Sequence, residues 1–182
     1  IVLDEEYYEQ ARAQIRETAR DLQLTFDVGT ARLTEDSLNM LTISHLIREL
    51  RSYGRQLMNV RVQGTASPDG HADRNAELAN KRAQKALSMI GPYVGSASTQ
   101  IAAPKVYTWN DVADSLQRRG YGMEASELRT LAAQNAVAGI RRMMESNPAI
   151  AEILQNQRLM KCAYTIRQNK VMDPEEALWA YY

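Results

Sequence analysis

A short polar segment in the first half of the chain carries the side chains best suited to bind a ligand. Ser67 and Asp69 lie in Gly64-Thr-Ala-Ser-Pro-Asp-Gly70, a turn sequence in which Pro fixes φ and Gly adopts a positive φ. Asn75 and Arg82 follow seven residues apart, which places them two turns apart on one helix face. Together they predict a small polar pocket overlooked by a guanidinium. Arg82 could bind a ligand there, cap strand ends or pair with a carboxylate of the protein itself.

Elsewhere the sequence holds no catalytic or metal-binding pattern. His45 and His71 are far apart and have no cysteine near them, so they do not make a metal site. Ser67 lacks the G-x-S-x-G flanks of a nucleophile elbow, and no phosphate-binding glycine loop occurs. Cys162 alternates with polar residues, as a small buried side chain of a strand does. We therefore predict a non-enzymatic protein with no catalytic residue, no metal and no cofactor.

The composition narrows the range of partners and locations. The 182 residues include 22 Lys and Arg and 22 Asp and Glu, so the net charge is zero. Nucleic acid and anionic lipid both require clustered positive charge, so neither is an expected partner. No apolar run is long enough to span a bilayer. With one cysteine, a periplasmic and a cytosolic location both stay open. The chain starts at Ile1 without a signal peptide, which we interpret as a segment of a longer precursor.

Hydrophobic periodicity predicts the elements that position the pocket. Alternation over residues 22–28 predicts a first strand, preceded by a short helix within residues 4–20. Thr34 is predicted to cap a helix that ends at Gly54. A second strand over residues 58–62 leads into the turn, and a helix from about residue 72 to residue 90 follows it.

The second half begins with a weak strand between residues 96 and 107, which contains Pro104. Four helices follow, the first preceded by capping-box spacing at Thr108 and Asp111 and the last by Asn147-Pro148. Residues 160–166 alternate again and predict the last strand. The helical block is too long for a loop, so it either carries a partner surface or covers a hydrophobic face.

This order of elements predicts an α+β sandwich in which helices cover a mixed sheet. We expect a single domain over residues 1–182. Its core spans about residues 20–107 and 157–168, and an all-helical insertion over about residues 108–156 precedes the last strand.

The segment VRVQGTASPDGHADRNAELANKR, residues 60–82, resembles the OmpA-like peptidoglycan-associated domain family. In that family a strand leads into G-H-T-D-x-x-G and then Y-N-x-x-L-S-x-x-R-A. The upstream FDVGTARL, residues 26–33, is similar to the family's F-x-x-G-S-A-x-L. The form A-S-P-D-G is similar to a variant from Bacteroides-type bacteria. The resemblance covers roughly residues 22–90, and the matching residues of its second motif are Gly64, Thr65, Ala66, Ser67, Gly70, Asn75, Leu78, Ala79, Arg82 and Ala83.

The resemblance implies a βαβαβ sandwich and non-covalent binding of the peptidoglycan stem peptide. In the family an Asp of the loop meets the ammonium of diaminopimelate, and an Arg of the next helix meets its carboxylate. Arg82 matches the Arg, whereas Ser67 stands at the position of the Asp. A serine hydroxyl can hydrogen-bond an ammonium but cannot neutralise it. Asp69 could reach the same pocket or could only form the turn.

Two functions are compatible with the resemblance. The first is a non-catalytic module at the periplasmic face of the outer membrane, which anchors an outer-membrane or surface protein to peptidoglycan. The second is a protein-interaction domain on an OmpA-like scaffold that has lost the wall ligand and docks another envelope or fimbrial protein through its helical block. Asn75 could contact the ligand or could only join the loop to the helix. For the first function the predicted ligand-binding residues are Ala66, Ser67, Asp69, Asn75 and Arg82.

Overall fold

The computed structural model describes residues 14–27, 30–34 and 36–168. In chain order the first elements are β1 (Gln14–Leu22), α1 (Ser37–Ser52), β2 (Leu57–Ala66), α2 (Ala72–Ile90), β3 (Ser98–Ile101) and β4 (Lys105–Val106). The remaining elements are α3 (Trp109–Arg118), α4 (Gly122–Ala133), α5 (Val137–Ser146), α6 (Pro148–Asn156) and β5 (Met160–Gln168). None of the described helices is both long and apolar enough to cross a membrane.

The last strand lies inside the sheet, between the first two. The strand order is β1-β5-β2-β3, and β4 pairs with β2 beyond the end of β3. β5 runs antiparallel to both β1 and β2, whereas β2 and β3 are parallel and are connected by α2. The sheet is therefore mixed, and its central pairings join distant parts of the chain, such as Gly64 with Met160.

One face of this sheet is buried under α1 and α2. Side chains at alternate positions of β5 point into the core, as expected for a strand with one covered face. The opposite face carries an exposed ion pair between Arg61 and Glu17, 3.2 Å apart. This is the predicted α+β architecture, and the fold class is confirmed. The buried members of this sheet core include Leu46, Leu50, Leu57, Val60, Val62, Ala83, Ile90, Cys162, Tyr164 and Ile166.

The four helices α3–α6 form a second core before the last strand. Within the described residues, the two cores have no buried residue in common. The capping box of Thr108 and Asp111 is present at the start of α3. Asn147 caps α6, and Pro148 occupies its first position. The all-helical insertion is thus confirmed as part of the fold, whereas the single-domain division over residues 1–182 stays a prediction. The second core consists of Val112, Ala113, Leu116, Ala125, Leu128, Ile140, Met143, Ile150, Ile153 and Leu154.

The prediction for the first strand was wrong. The strand is Gln14–Leu22, and residues 23–27 form a loop with one isolated bridge, Phe26 with Leu33, while Val28 lies outside the described residues. The reason is the register, because Leu22 pairs with Met160, the first residue of β5, and later residues therefore have no partner strand. The predicted helix over residues 4–20 is likewise wrong for residues 14–20, and residues 4–13 lie outside the described part of the chain.

The first helix begins later than predicted. Its N-cap is Asp36, whose carboxylate accepts a hydrogen bond from the Asn39 backbone N–H at 2.8 Å. Thr34 instead uses its backbone to hold the preceding loop, because its carbonyl accepts from the Asn39 side-chain amide at 2.8 Å. A carboxylate at the N-cap also interacts favourably with the positive end of the helix dipole.

Candidate functional site

The polar turn after β2 and the first half of α2 line a cleft of about 690 Å³. The loop after β1 and the turn between α6 and β5 complete its walls. This one cleft is lined by all five residues that were predicted to bind a ligand: Ala66, Ser67, Asp69, Asn75 and Arg82. The fold therefore brings the predicted residues together, while their role in ligand binding stays a prediction.

Two glycines of the turn shape the cleft. Gly64 lies so close to α2 that a Cβ there would be 2.1 Å from the backbone oxygen of Ala79. Gly70 has φ of 98°, in the left-handed region that disfavours other residues. The first glycine lets the strand approach the helix backbone, and the second reverses the chain into α2.

Ser67, Asp69 and Arg158 form a closed hydrogen-bonded triangle at the floor of the cleft. The Ser67 hydroxyl donates to Oδ1 of Asp69 and accepts from Nε of Arg158 at 2.8 Å. Nη2 of Arg158 donates to Oδ2 of Asp69 at 2.6 Å, which completes an ion pair. Ser67 is only 3% exposed. Both oxygens of the Asp69 carboxylate are thus engaged by groups of the protein, and charge-assisted bonds of this kind are the stronger ones.

Asn75 fastens the turn to α2. Its side-chain amide donates to the backbone carbonyl of Asp69 at 2.8 Å and to that of Ser67 at 3.3 Å. These bonds satisfy two backbone carbonyls of the turn. Asn75 therefore joins the loop to the helix, and a ligand contact by Asn75 stays a prediction.

Arg82 is held in place by the loop after β1. Its Nε donates to the backbone carbonyl of Thr30 at 2.9 Å, and its guanidinium lies 4.9 Å from the ring centroid of Phe26. Partial burial lowers the pKa of Arg82, and the positive charge of Arg158 lowers this pKa further. Arg82 and Arg158 both line the cleft, so two cations face it. The loop is itself anchored by the buried Asn39, which bonds Thr25 through both ends of its amide, at 2.8 and 2.9 Å.

Arg158 was not predicted as a site residue. Thr65 positions it, because the Thr65 hydroxyl donates to the carbonyl of Gln157 at 2.6 Å and accepts from the N–H of Leu159 at 2.8 Å. Arg158 precedes the last strand, and only the antiparallel register of β5 with β2 brings it beside Ser67. A single sequence contains no signal for that register, so no pattern could have identified this residue.

The cleft has an excess of positive charge. Its charged lining among the described residues is Arg82, Arg158 and Asp69, which sums to one net positive charge. Across the part of the chain that the structure describes, no three His, Cys, Asp or Glu side chains come together as metal ligands would. The arrangement suits a ligand that carries a carboxylate or another anionic group.

Comparison with known proteins adds little to this geometry. No protein-family model matches the chain, and no curated protein matches it. Three crystal structures of the periplasmic domain of Helicobacter pylori MotB are similar, each at 12% sequence identity. Their TM-scores are 0.38, 0.42 and 0.41, over 93%, 92% and 93% of this chain and 90%, 81% and 85% of theirs. At such values the similarity carries no argument about function.

Proposed function

We propose that this chain is a non-catalytic module of the cell envelope that binds the peptidoglycan stem peptide without a covalent bond. In this role it anchors an outer-membrane or surface protein to the wall from the periplasmic face of the outer membrane. The stem peptide carries free carboxylates, which are the groups that an arginine fork recognises. The proposal extends the sequence resemblance at residues 60–82 to the cleft that these residues line.

One observation carries the proposal: a guanidinium is fixed over a polar turn in a cleft large enough for the end of a peptide. Arg82 is oriented by Thr30 and Phe26, so its side chain is already ordered before a ligand binds. Preorganisation of this kind reduces the entropy lost on binding. Ala66, Ser67, Asp69 and Asn75 line the same cleft.

Sedimentation with purified peptidoglycan sacculi tests the proposal. We expect wild-type protein to sediment with the sacculi, and Arg82→Gln to lose about tenfold or more in affinity, the usual loss for a charged hydrogen bond. Arg61→Gln is the matched control, because it removes an equal charge from the exposed face of the sheet. Arg82→Lys keeps the charge without the fork and should bind at an intermediate level. Wild-type protein that stays in the supernatant would refute the proposal.

A second candidate function is a protein-interaction domain that has lost the wall ligand. The observation that favours it is that the helical block exposes large apolar side chains, with Tyr121 at 39%, Met123 at 86% and Val137 at 66%. Exposed large apolar side chains of this kind can contribute to a docking surface for another protein. Under this alternative the wild-type protein does not sediment with sacculi, and a Met123→Ser, Val137→Ser variant loses an envelope or fimbrial partner.

A further inference from the structure

We propose that the cleft recognises its ligand by a carboxylate and does not accept an ammonium, and that Arg158 sets this selectivity. The inference rests on the proposed function only for the natural ligand, the stem peptide. The selectivity itself follows from the charges and hydrogen bonds of the cleft and can be tested without peptidoglycan.

The wall of the cleft that could hold an ammonium is already occupied by a cation of the protein. Asp69 is the acidic residue of the described lining, and its two oxygens are bonded to Ser67 and Arg158. The Ser67 hydroxyl proton is directed to Asp69, and Nε of Arg158 donates to the same hydroxyl oxygen. An incoming ammonium would have to share the Asp69 carboxylate with the Arg158 guanidinium, whose charge already neutralises Asp69 and repels a second cation.

The other wall offers an unneutralised guanidinium. Arg82 lines the cleft, and within the described residues its side-chain hydrogen bond runs from Nε to the Thr30 carbonyl, which leaves the terminal nitrogens without a protein acceptor there. Partial burial lowers the pKa of Arg82, and the proximity of the Arg158 charge lowers this pKa further. An anion placed between the two guanidiniums offsets this repulsion, whereas a second cation increases it.

This charge pattern has a consequence for the stem peptide. A peptide end that carries both an amine and a carboxylate is held by the carboxylate, and its amine stays in solvent. Acylation of that amine, as occurs when two stem peptides are joined, therefore leaves binding unchanged. The module would then bind joined and free stem peptides alike, provided that the carboxylate is free.

Titration with two small probes tests the selectivity directly. Sodium propionate and methylammonium chloride are added to ¹⁵N-labelled protein at equal ionic strength, and the amide signals of Ser67, Asn75 and Arg82 are followed by NMR. In the wild type we expect a saturable shift with propionate and none with methylammonium. In Arg158→Gln we expect propionate to bind about tenfold more weakly, and methylammonium to produce a saturable shift because Asp69 is released.

Two further variants separate the role of Arg158 from general effects. Arg158→Lys keeps a cation beside Asp69 and should keep the exclusion of methylammonium, and Arg61→Gln removes a charge outside the cleft and should behave as wild type. A saturable methylammonium shift in wild-type protein, or no propionate shift, overturns the inference. Selective propionate binding together with no sedimentation on sacculi would instead refute the proposed function alone. Sedimentation without carboxylate selectivity would refute only the inference.

Discussion

The sheet core of this chain is assembled from contacts between residues far apart in sequence, whereas the helical core is assembled from contacts within one continuous segment. In the sheet, Leu57 pairs with Ile166, and the first strand pairs with the last. In the helical block, α3 packs on α4 and α6, and all its members lie between Trp109 and Asn156. The cleft lies where the two regions meet, since Thr65 and Asp69 of the sheet half bond to the segment that leaves α6. Local packing thus builds the block, whereas the site depends on long-range pairing.

The largest expected effects come from truncating one buried side chain in each core. Ile166 and Leu116 are both 0% exposed, so Ile166→Ala and Leu116→Ala should each lower the free energy of unfolding by about 2–5 kcal/mol. Amide hydrogen exchange should locate the two effects differently. We expect Leu116→Ala to speed exchange in α3–α6 and Ile166→Ala to speed it in β2 and β5. Equal acceleration in both regions by both variants would show that the two cores open as one unit.

A smaller effect is expected where the sheet touches a helix backbone. Gly64→Ala places a Cβ 2.1 Å from the Ala79 oxygen, so strand and helix must separate, at a cost of about 1–3 kcal/mol. Gly122→Ala is the matched control in the helical block, because no atom lies within 4 Å of the added Cβ. Chemical denaturation measures the free energy of unfolding of both variants. If Gly64→Ala is as stable as Gly122→Ala, the close packing at the cleft is absent in solution.

A pH-dependent effect should appear in the sheet half. Glu49 of α1 accepts from Arg20 of β1 at 2.8 Å and from the Tyr164 hydroxyl of β5 at 2.5 Å. The hydrogen bonds from Arg20 lower the pKa of Glu49 below its usual 4.5, despite the opposing effect of burial. The folded state therefore binds this proton less tightly than the unfolded state. The resulting stabilisation is complete above pH 4.5 and is lost as the pH falls through the folded-state pKa.

Thermal unfolding as a function of pH measures this contribution. We expect Glu49→Gln to lose less stability than the wild type between neutral pH and about pH 3. Glu152→Gln is the control, because Glu152 forms an exposed ion pair with Arg119 at 3.3 Å, and such pairs contribute little. A Glu49→Gln profile that runs parallel to that of the wild type would contradict the prediction.

The smallest expected effect on stability concerns Cys162. The reactivity of its thiol is also a sensitive measure of how often the sheet core opens. Burial raises the pKa of this thiol to about 11, and the side chain is 0% exposed. Because the thiolate is the reactive form, a thiol reagent at about pH 8 should modify the native protein slowly. We expect Ile166→Ala to accelerate the modification and Leu116→Ala to leave it unchanged. Fast modification of the native wild type would show that the sheet core is open.

Much of the local structure could be predicted from the sequence. The helix α2 matches its predicted range of residues 72–90, and the capping box at Thr108 marks the start of α3 as predicted. The proximity of Ser67, Asp69 and Asn75 was also predictable, because a turn sequence followed by a helix brings these three residues together over a short distance. These features depend on residues that are near one another in sequence, so periodicity and turn chemistry suffice to predict them.

The sequence by itself determined the range of α2, the start of α3, the polar turn and the glycines that shape it. Only the tertiary structure decided which segment before α1 became a strand. A strand requires a partner, and the pairing of β1 with β5 ends where Leu22 pairs with Met160. The tertiary structure also decided that Arg158 reaches Ser67 and Asp69, since that contact depends on the register of β5 with β2. The pairing of strands that are distant in sequence depends on the packing of the whole core. That pairing brings Arg158 to the cleft and so gives the cleft its net positive charge.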